Sequence, residues 1–219
     1  MPIIRETFYN HPLTMDCVIL KMNYLAHAFL SFKNADTLAG NMISDYVKGK
    51  KKFDYSAGIQ KGIQLHRLID EFTDSHEVTA RAKIFFRPQY RLYSGAFVDV
   101  VYDHFLALDK NQFNEHQNLE HFCQETYRLL ENNFEFFPLQ FQKVFPYMKM
   151  QNWLYNYQFK EGIQKSFQGL VYRATYLKES IIAFEIFNKH YEELKSCYAE
   201  FFPELKQYAC KNAHHLWPD

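Results

Sequence analysis

The sequence predicts an all-α fold, and three observations carry that prediction. Aromatic residues are 18% of the 219, with 22 Phe and 16 Tyr, and such rings suit packing between helices. Gly and Pro number only 7 each, too few for the many reversals of an all-β chain. From Met22 onward the apolar residues recur at helical rather than alternating spacing.

Residues 1–21 show no sustained period and read as an N-terminal extension, with Met15 and Met22 both available as starts. Residues 22–219 read as one helical domain. "MNYLAHAFL" opens a helix expected over 22–33, and "KNAD" turns the chain, with Asp36 as N-cap of a helix over 35–48. "KGKKKFD" (48–54) is a basic loop. Ile59 and Ile63 set the apolar stripe of a helix over 55–74, followed by one over 76–86. "FRPQYRLYSG" (86–95) is expected to break at Pro88 and Gly95. "GAFVDVVYDHFLAL" forms a helix over 94–109 that is apolar nearly all round, as a central buried helix would be. Further helices are expected over 116–132, 138–158, 160–176 and 178–212, the last interrupted before Pro203.

Charge narrows the function classes. The 25 basic and 25 acidic residues cancel, so bulk charge favours neither nucleic acid nor a membrane surface. No apolar run approaches the roughly 18 residues of a membrane span. The N-terminus lacks the basic, apolar and small-residue order of a signal peptide. Cys17, Cys123, Cys197 and Cys210 form no C-x-x-C pair and read as free thiols of a cytoplasmic protein. The chain has no glycine-rich phosphate loop, which disfavours a P-loop nucleotide enzyme.

Ionisable groups stand where core residues are expected. At about 100° per residue, His66 and Asp70 fall on the stripe of Ile59 and Ile63, and Asp74 falls at its edge. Asp99 and Asp103 are another i, i+4 pair on the buried 94–109 helix, with His104 beside them. Asn41 and Asp45 repeat the spacing on the face of Leu38 and Met42, and Asn23 and His27 repeat it in the first helix. A lone inward His or Asp usually hydrogen-bonds a neighbouring helix. Several buried carboxylates together repel one another unless a cation lies among them. Oxygen and imidazole donors without a thiolate suit Mn²⁺, Mg²⁺ or Fe²⁺ better than structural Zn²⁺. The dipeptide Asp103-His104 reverses the order that names the His-Asp phosphohydrolases, and alone it is weak evidence.

The motifs "MNYLAHAFLS", "LAGNMISDYVKG", "GIQLHRLIDEFTDSH" and "DVVYDHFLA", followed by an aromatic-rich half containing "NWLYNY", resemble the bacterial acyl carrier protein phosphodiesterases. The resemblance runs from Met22 to about Pro203. It implies an all-α bundle, like the His-Asp phosphohydrolases with rearranged connectivity. It also implies hydrolysis of the 4′-phosphopantetheine–serine phosphodiester of holo-acyl carrier protein, supported by Mn²⁺ or Mg²⁺. The family's essential acidic residue falls on Asp45, and its other His and Asp positions fall on His66, Asp70, Asp103 and His104.

With inward placement and resemblance combined, Asp45, His66, Asp70 and Asp103 are the expected metal ligands. His27 or His104 completes the shell or acts as general acid, and Asn41 orients a ligand or the water. Asp99 and Asp74 are outer candidates, with ion pairs as the alternative. An acidic carrier protein needs a local basic surface, for which Lys50, Lys51 and Lys52, extended by Arg87 and Arg91, are the candidates. Two other classes stay open: a phosphohydrolase acting on a nucleotide or other small phosphate ester, and a non-catalytic helical protein that binds the carrier.

Overall fold

The structure, a computed structural model, describes residues 23–114 and 118–216, so the 1–21 extension lies outside the described residues. Helices and turns account for the regular structure, and there is no strand among the described residues. The first half consists of α1 (Tyr24–Phe29), α2 (Ala35–Ile43), 3-10 turns at Ser44–Tyr46 and Gly49–Asp54, α3 (Ala57–Ser75), α4 (Glu77–Tyr90) and α5 (Ser94–Leu108). The second half consists of α6 (Leu119–Glu131), α7 (Leu139–Met150), α8 (Trp153–Asn156), α9 (Lys160–Arg173), α10 (Ile181–Lys189) and α11 (Tyr191–Leu216). No helix among the described residues is long and apolar enough to cross a membrane.

Several boundaries differ from the sequence reading, each for a local reason. Asn34, not Asp36, caps α2, accepting the Thr37 amide at 2.9 Å. Phe32 and Lys33 take positive φ, of 51° and 59°, so the chain turns earlier than the polar run suggests. Helix α4 passes through Pro88 and stops at Arg91, whose φ is 45°. Helix α11 likewise passes through Pro203, and the break falls at His190 instead. Both prolines lie on exposed faces, where the carbonyls of Ile84 and Ala199 that lose a partner can turn to water. The segment 138–158 splits at Asn152, which is left-handed with φ 50°.

Helices α2 and α3 cross in direct backbone contact. A Cβ at Gly40 would stand 2.0 Å from the Ile59 carbonyl oxygen, and one at Gly62 would stand 2.3 Å from that of Thr37. The two Cα atoms face each other across the crossing, so the backbones touch with no side chain between them. This brings residue 41 of α2 against residue 66 of α3.

Helix α5 is the axis of the core, with every residue but Gly95 and Leu108 buried. Phe97 packs with Phe86, Tyr90 and Phe167 on one side, and Tyr102 stacks on Phe201 on another. Each fully buried ring contributes about 2–3 kcal/mol relative to exposure. The Asp103 carboxylate reaches from α5 to the start of α1, accepting the Leu25 amide at 3.0 Å and the Ala26 amide at 2.8 Å. Asn23, the N-cap residue of α1, makes no side-chain cap, so Asp103 supplies it from across the core.

Two outcomes follow. Gly40→Ala or Gly62→Ala is expected to lower stability by about 3 kcal/mol or more, since the added methyl meets backbone that cannot rotate away. A shift in urea midpoint within error of wild type would sink the close-contact account. Asp103→Asn keeps the shape but points an N–H at one of the two amides, and is expected to remove about 1–3 kcal/mol. A melting temperature equal to wild type would contradict the capping role.

Candidate metal centre

Three neighbouring segments deliver the site. Helix α1 supplies His27, the turn after α2 supplies Asp45, and α3 supplies His66 and Asp70 one turn apart. His66 Nε2 lies 3.3 Å from both Asp45 Oδ1 and Asp70 Oδ2. The other oxygen of Asp70 lies 3.4 Å from His27 Nε2. The two imidazoles stack, with centroids 3.9 Å apart and planes 14° from parallel.

Asn41 ties these parts together. Its backbone carbonyl accepts the His66 Nδ1 proton at 2.8 Å, which fixes the ring with Nε2 toward the carboxylates. Its side-chain amide donates to the His27 carbonyl at 2.9 Å and to Ser31 Oγ at 3.1 Å, holding α1 in place. Ser31 donates in turn to the His27 carbonyl at 2.7 Å. Both imidazoles are buried, while the Asp45 and Asp70 side chains keep 24% and 18% exposure, so the carboxylates mark the side open to solvent.

The electrostatics call for positive charge at the centre. Burial would lower the His66 pKa, but its hydrogen bonds to Asp45 and Asp70 outweigh this and push it up to about 10. Burial also opposes ionisation of Asp70, yet the His27 and His66 side chains hold its carboxyl well below the usual range. His27 is held below its ordinary value by burial and by the neighbouring His66 charge. In the protein alone, a proton on His66 Nε2 supplies the charge between the carboxylates.

The donor set fits a divalent cation. One ligand atom each from His27, His66 and Asp70 lies within 4.8 Å of the others. Ligands bound at about 2.1 Å stand about 3.0 Å apart at octahedral right angles and about 3.4 Å apart in a tetrahedron. The observed 3.3 and 3.4 Å separations are in that range. His27 Nδ1 makes no hydrogen bond within the protein, and Nε2 has only the Asp70 oxygen at 3.4 Å, despite the burial of the ring. A buried imidazole in that state needs a partner, and a cation is one.

The structure does not bring every sequence candidate here. Asp103 is engaged by the α1 amides and stands outside the His27–His66–Asp70 group. Its inward position answers a helix end, a need that periodicity cannot separate from ligation. His104 is buried elsewhere, with Nδ1 against the Tyr157 carbonyl at 2.7 Å and Nε2 against the Tyr191 hydroxyl at 3.0 Å. Asp74 is on the surface, paired with Lys83 at 3.0 Å. Asp99 lines a small buried cavity with Asn23, Thr73 and Tyr102. Lys50 and Lys51 are exposed in the turn after Asp45, and Lys52 Nζ sits 5.0 Å from the centre of the Phe53 ring. Arg67 donates to the Val47 carbonyl at 3.0 Å, pinning the chain between Asp45 and those lysines. Arg87 and Arg91 are exposed at the end of α4 and in the turn after it.

The sequence reading passed over Gly40, Gly62 and Ser31. A glycine inside a helix costs about 0.5–1 kcal/mol against alanine, so one each in "LAGNM" and "QKGIQ" was a readable sign of close backbone approach. It also passed over Tyr24 and Tyr46, whose hydroxyls meet at 3.1 Å, one turn from His27 and next to Asp45 respectively. Burial pushes both tyrosines up, and the charge of Arg173 opposes it.

Residues 22–205 match the family described as acyl carrier protein phosphodiesterase. Relatives named acyl carrier protein phosphodiesterase include that of Photorhabdus laumondii, 29% identical across 86% of this chain and 95% of the relative. Those of Klebsiella pneumoniae subsp. pneumoniae and Yersinia pestis are each 30% identical across 86% of this chain and 97% of the relative. No solved structure matches the chain. The match spans most of the chain and includes all four residues of the centre, so this protein belongs to the acyl carrier protein phosphodiesterase family.

Proposed function

We propose that the chain hydrolyses the phosphodiester between 4′-phosphopantetheine and the serine of holo-acyl carrier protein, releasing apo-carrier and 4′-phosphopantetheine. The observation that carries this reading is the convergence of His27, His66, Asp70 and Asp45 at one half-open point in a chain of this family. His27, His66 and Asp70 would hold the metal, with Asp45 at its solvent side. Two imidazole nitrogens and carboxylate oxygens, without a thiolate, favour Mn²⁺ or Mg²⁺ and admit Fe²⁺. Such an ion lowers the pKa of a bound water and neutralises charge on the phosphoryl oxygens.

The residues of the chain do the rest. Asn41 orients His66 and, through Ser31 and the His27 carbonyl, keeps the second imidazole stacked on the first. Asp45 is the more exposed carboxylate and can accept a proton from the attacking water. Neither Asp103 nor His104 has a role in ligation or proton transfer in this reading. Residues 22–219 form the catalytic domain, and the free thiols Cys123, Cys197 and Cys210 suit the reducing cytoplasm. The lysines at 50–52 dock the acidic carrier beside Asp45, and Arg87 and Arg91 are outlying members of that surface.

Incubation with holo-acyl carrier protein and Mn²⁺ should lower the carrier mass by one phosphopantetheine. Asp45→Ala and Asp70→Ala should reduce the rate by about 100-fold or more, with Asp70→Ala also losing bound metal. An unchanged carrier mass with the wild-type protein would leave a small phosphate ester or simple carrier binding as the function. Changing Lys50, Lys51 and Lys52 together to Glu should raise KM for the carrier about tenfold at low salt and leave kcat unaltered. An unaltered KM would remove these lysines from docking.

A further inference from the structure

Of the four residues at the centre, Asp45 alone is carried by a turn, the 3-10 segment Ser44–Tyr46, rather than by an α-helix. Its oxygen lies 3.3 Å from His66 Nε2 and its side chain keeps 24% exposure, so packing around the carboxylate does little to hold it. The turn is fastened to α3 by two bonds. Ser44 Oγ donates to the Ile63 carbonyl at 3.3 Å, and Arg67 donates to the Val47 carbonyl at 3.0 Å. Bonds on that side alone leave the turn able to roll about the line between them. Successive residues of a 3-10 segment stand about 120° apart, so a roll that swings Tyr46 swings Asp45 with it.

Tyr46 blocks the roll from the α1 side. Its hydroxyl lies 3.1 Å from that of Tyr24, and its ring packs on Phe141 of α7 with centroids 5.3 Å apart. Tyr24 is buried in α1 one turn before His27, with its ring 6.4 Å from that of Trp153 in α8. The hydroxyl pair thus joins the turn carrying Asp45 to the helix carrying His27, and α7 and α8 back the two rings. Removing either hydroxyl leaves the other phenol without that bond.

We infer that Tyr24 and Tyr46 are positioning residues, whose hydroxyl bond fixes the roll of the Ser44–Tyr46 turn and so aims Asp45 at the centre. This rests on the reading of Asp45 as proton acceptor for the attacking water, and adds how a residue on a turn is held for that task. The segment "NWLYNY" gains a task with it, since Trp153 backs Tyr24.

Hydrogen exchange and steady-state kinetics test the inference together. The Val47 amide bonds the Ser44 carbonyl at 3.0 Å and reports the closure of the turn. Tyr24→Phe, a change on α1, is expected to speed exchange of that amide about 10-fold more than it speeds those of α5. With holo-carrier and Mn²⁺ it should lower kcat about 10-fold, with KM and Mn²⁺ content as in wild type. Tyr46→Phe should match it, and the two changes together should lose no more than either alone, because one bond is lost in all three. Wild-type exchange at Val47 in Tyr24→Phe overturns the inference, as do kcat losses that multiply in the double variant. A raised KM with kcat unaltered overturns it too, and would put the phenols on the substrate. Should Tyr46→Phe not fold, the exchange and kcat of Tyr24→Phe carry the test. If Tyr24→Phe frees the Val47 amide while the wild type leaves holo-carrier uncut, the tyrosine pair stands as the hold on the turn and the phosphodiesterase reading falls.

Discussion

The backbones of α2 and α3 meet at Gly40 and Gly62 without an intervening side chain, and the geometry of the centre is set by that contact. Only at this separation can the Asn41 carbonyl reach His66 Nδ1 at 2.8 Å. The same approach carries the turn after α2 across α3, so that Asp45 arrives at the nitrogen His66 presents on its other side. A side chain at either glycine would part the helices by more than a hydrogen bond tolerates. The lack of two β-carbons therefore selects which atoms of the two helices converge at the centre.

From that contact the polar network extends in one direction and the apolar core in the other. Asn41 links α3 to α1 through His27 and Ser31, so its backbone and side chain serve different helices. Asp103 fastens the far end of α1 to α5 by two amide hydrogen bonds. Among the buried polar atoms that lack a close hydrogen bond are the nitrogens of His27, where the stacked rings and the carboxylates converge. That gap coincides with the place where positive charge is demanded.

The sequence carried the helical class and the inward stripe of α3 because both rest on periodicity, which survives without knowledge of partners. His66 and Asp70 could be separated from Asp74 on phase alone, and Asp74 is indeed at the surface with Lys83. Phase failed where two uses of a buried carboxylate look alike. Asp103 and Asp70 are both inward aspartates on apolar helices, yet one meets backbone amides and the other imidazoles. Which of these occurs depends on the helix end that lies opposite, and a single strand of sequence does not contain that. Helix ends were least legible, because Pro88 and Pro203 stop a helix only where the displaced carbonyl has no access to water.

The attachment of α1 to α5 also sets an order of events. His27 belongs to a helix of six residues, Tyr24–Phe29, too short to persist by itself. It is held by a carboxylate that follows Leu25 by 78 positions. During synthesis α2 and α3 can pair as soon as both have emerged, placing Asp45, His66 and Asp70, while the second imidazole must wait until α5 is packed. A nascent or truncated chain ending before residue 103 would thus lack the Asp103 hold on α1 and, with it, a fixed His27. Loss of α5 packing by a distant core substitution would release the same imidazole, so damage far from the centre would register first as a loosened His27.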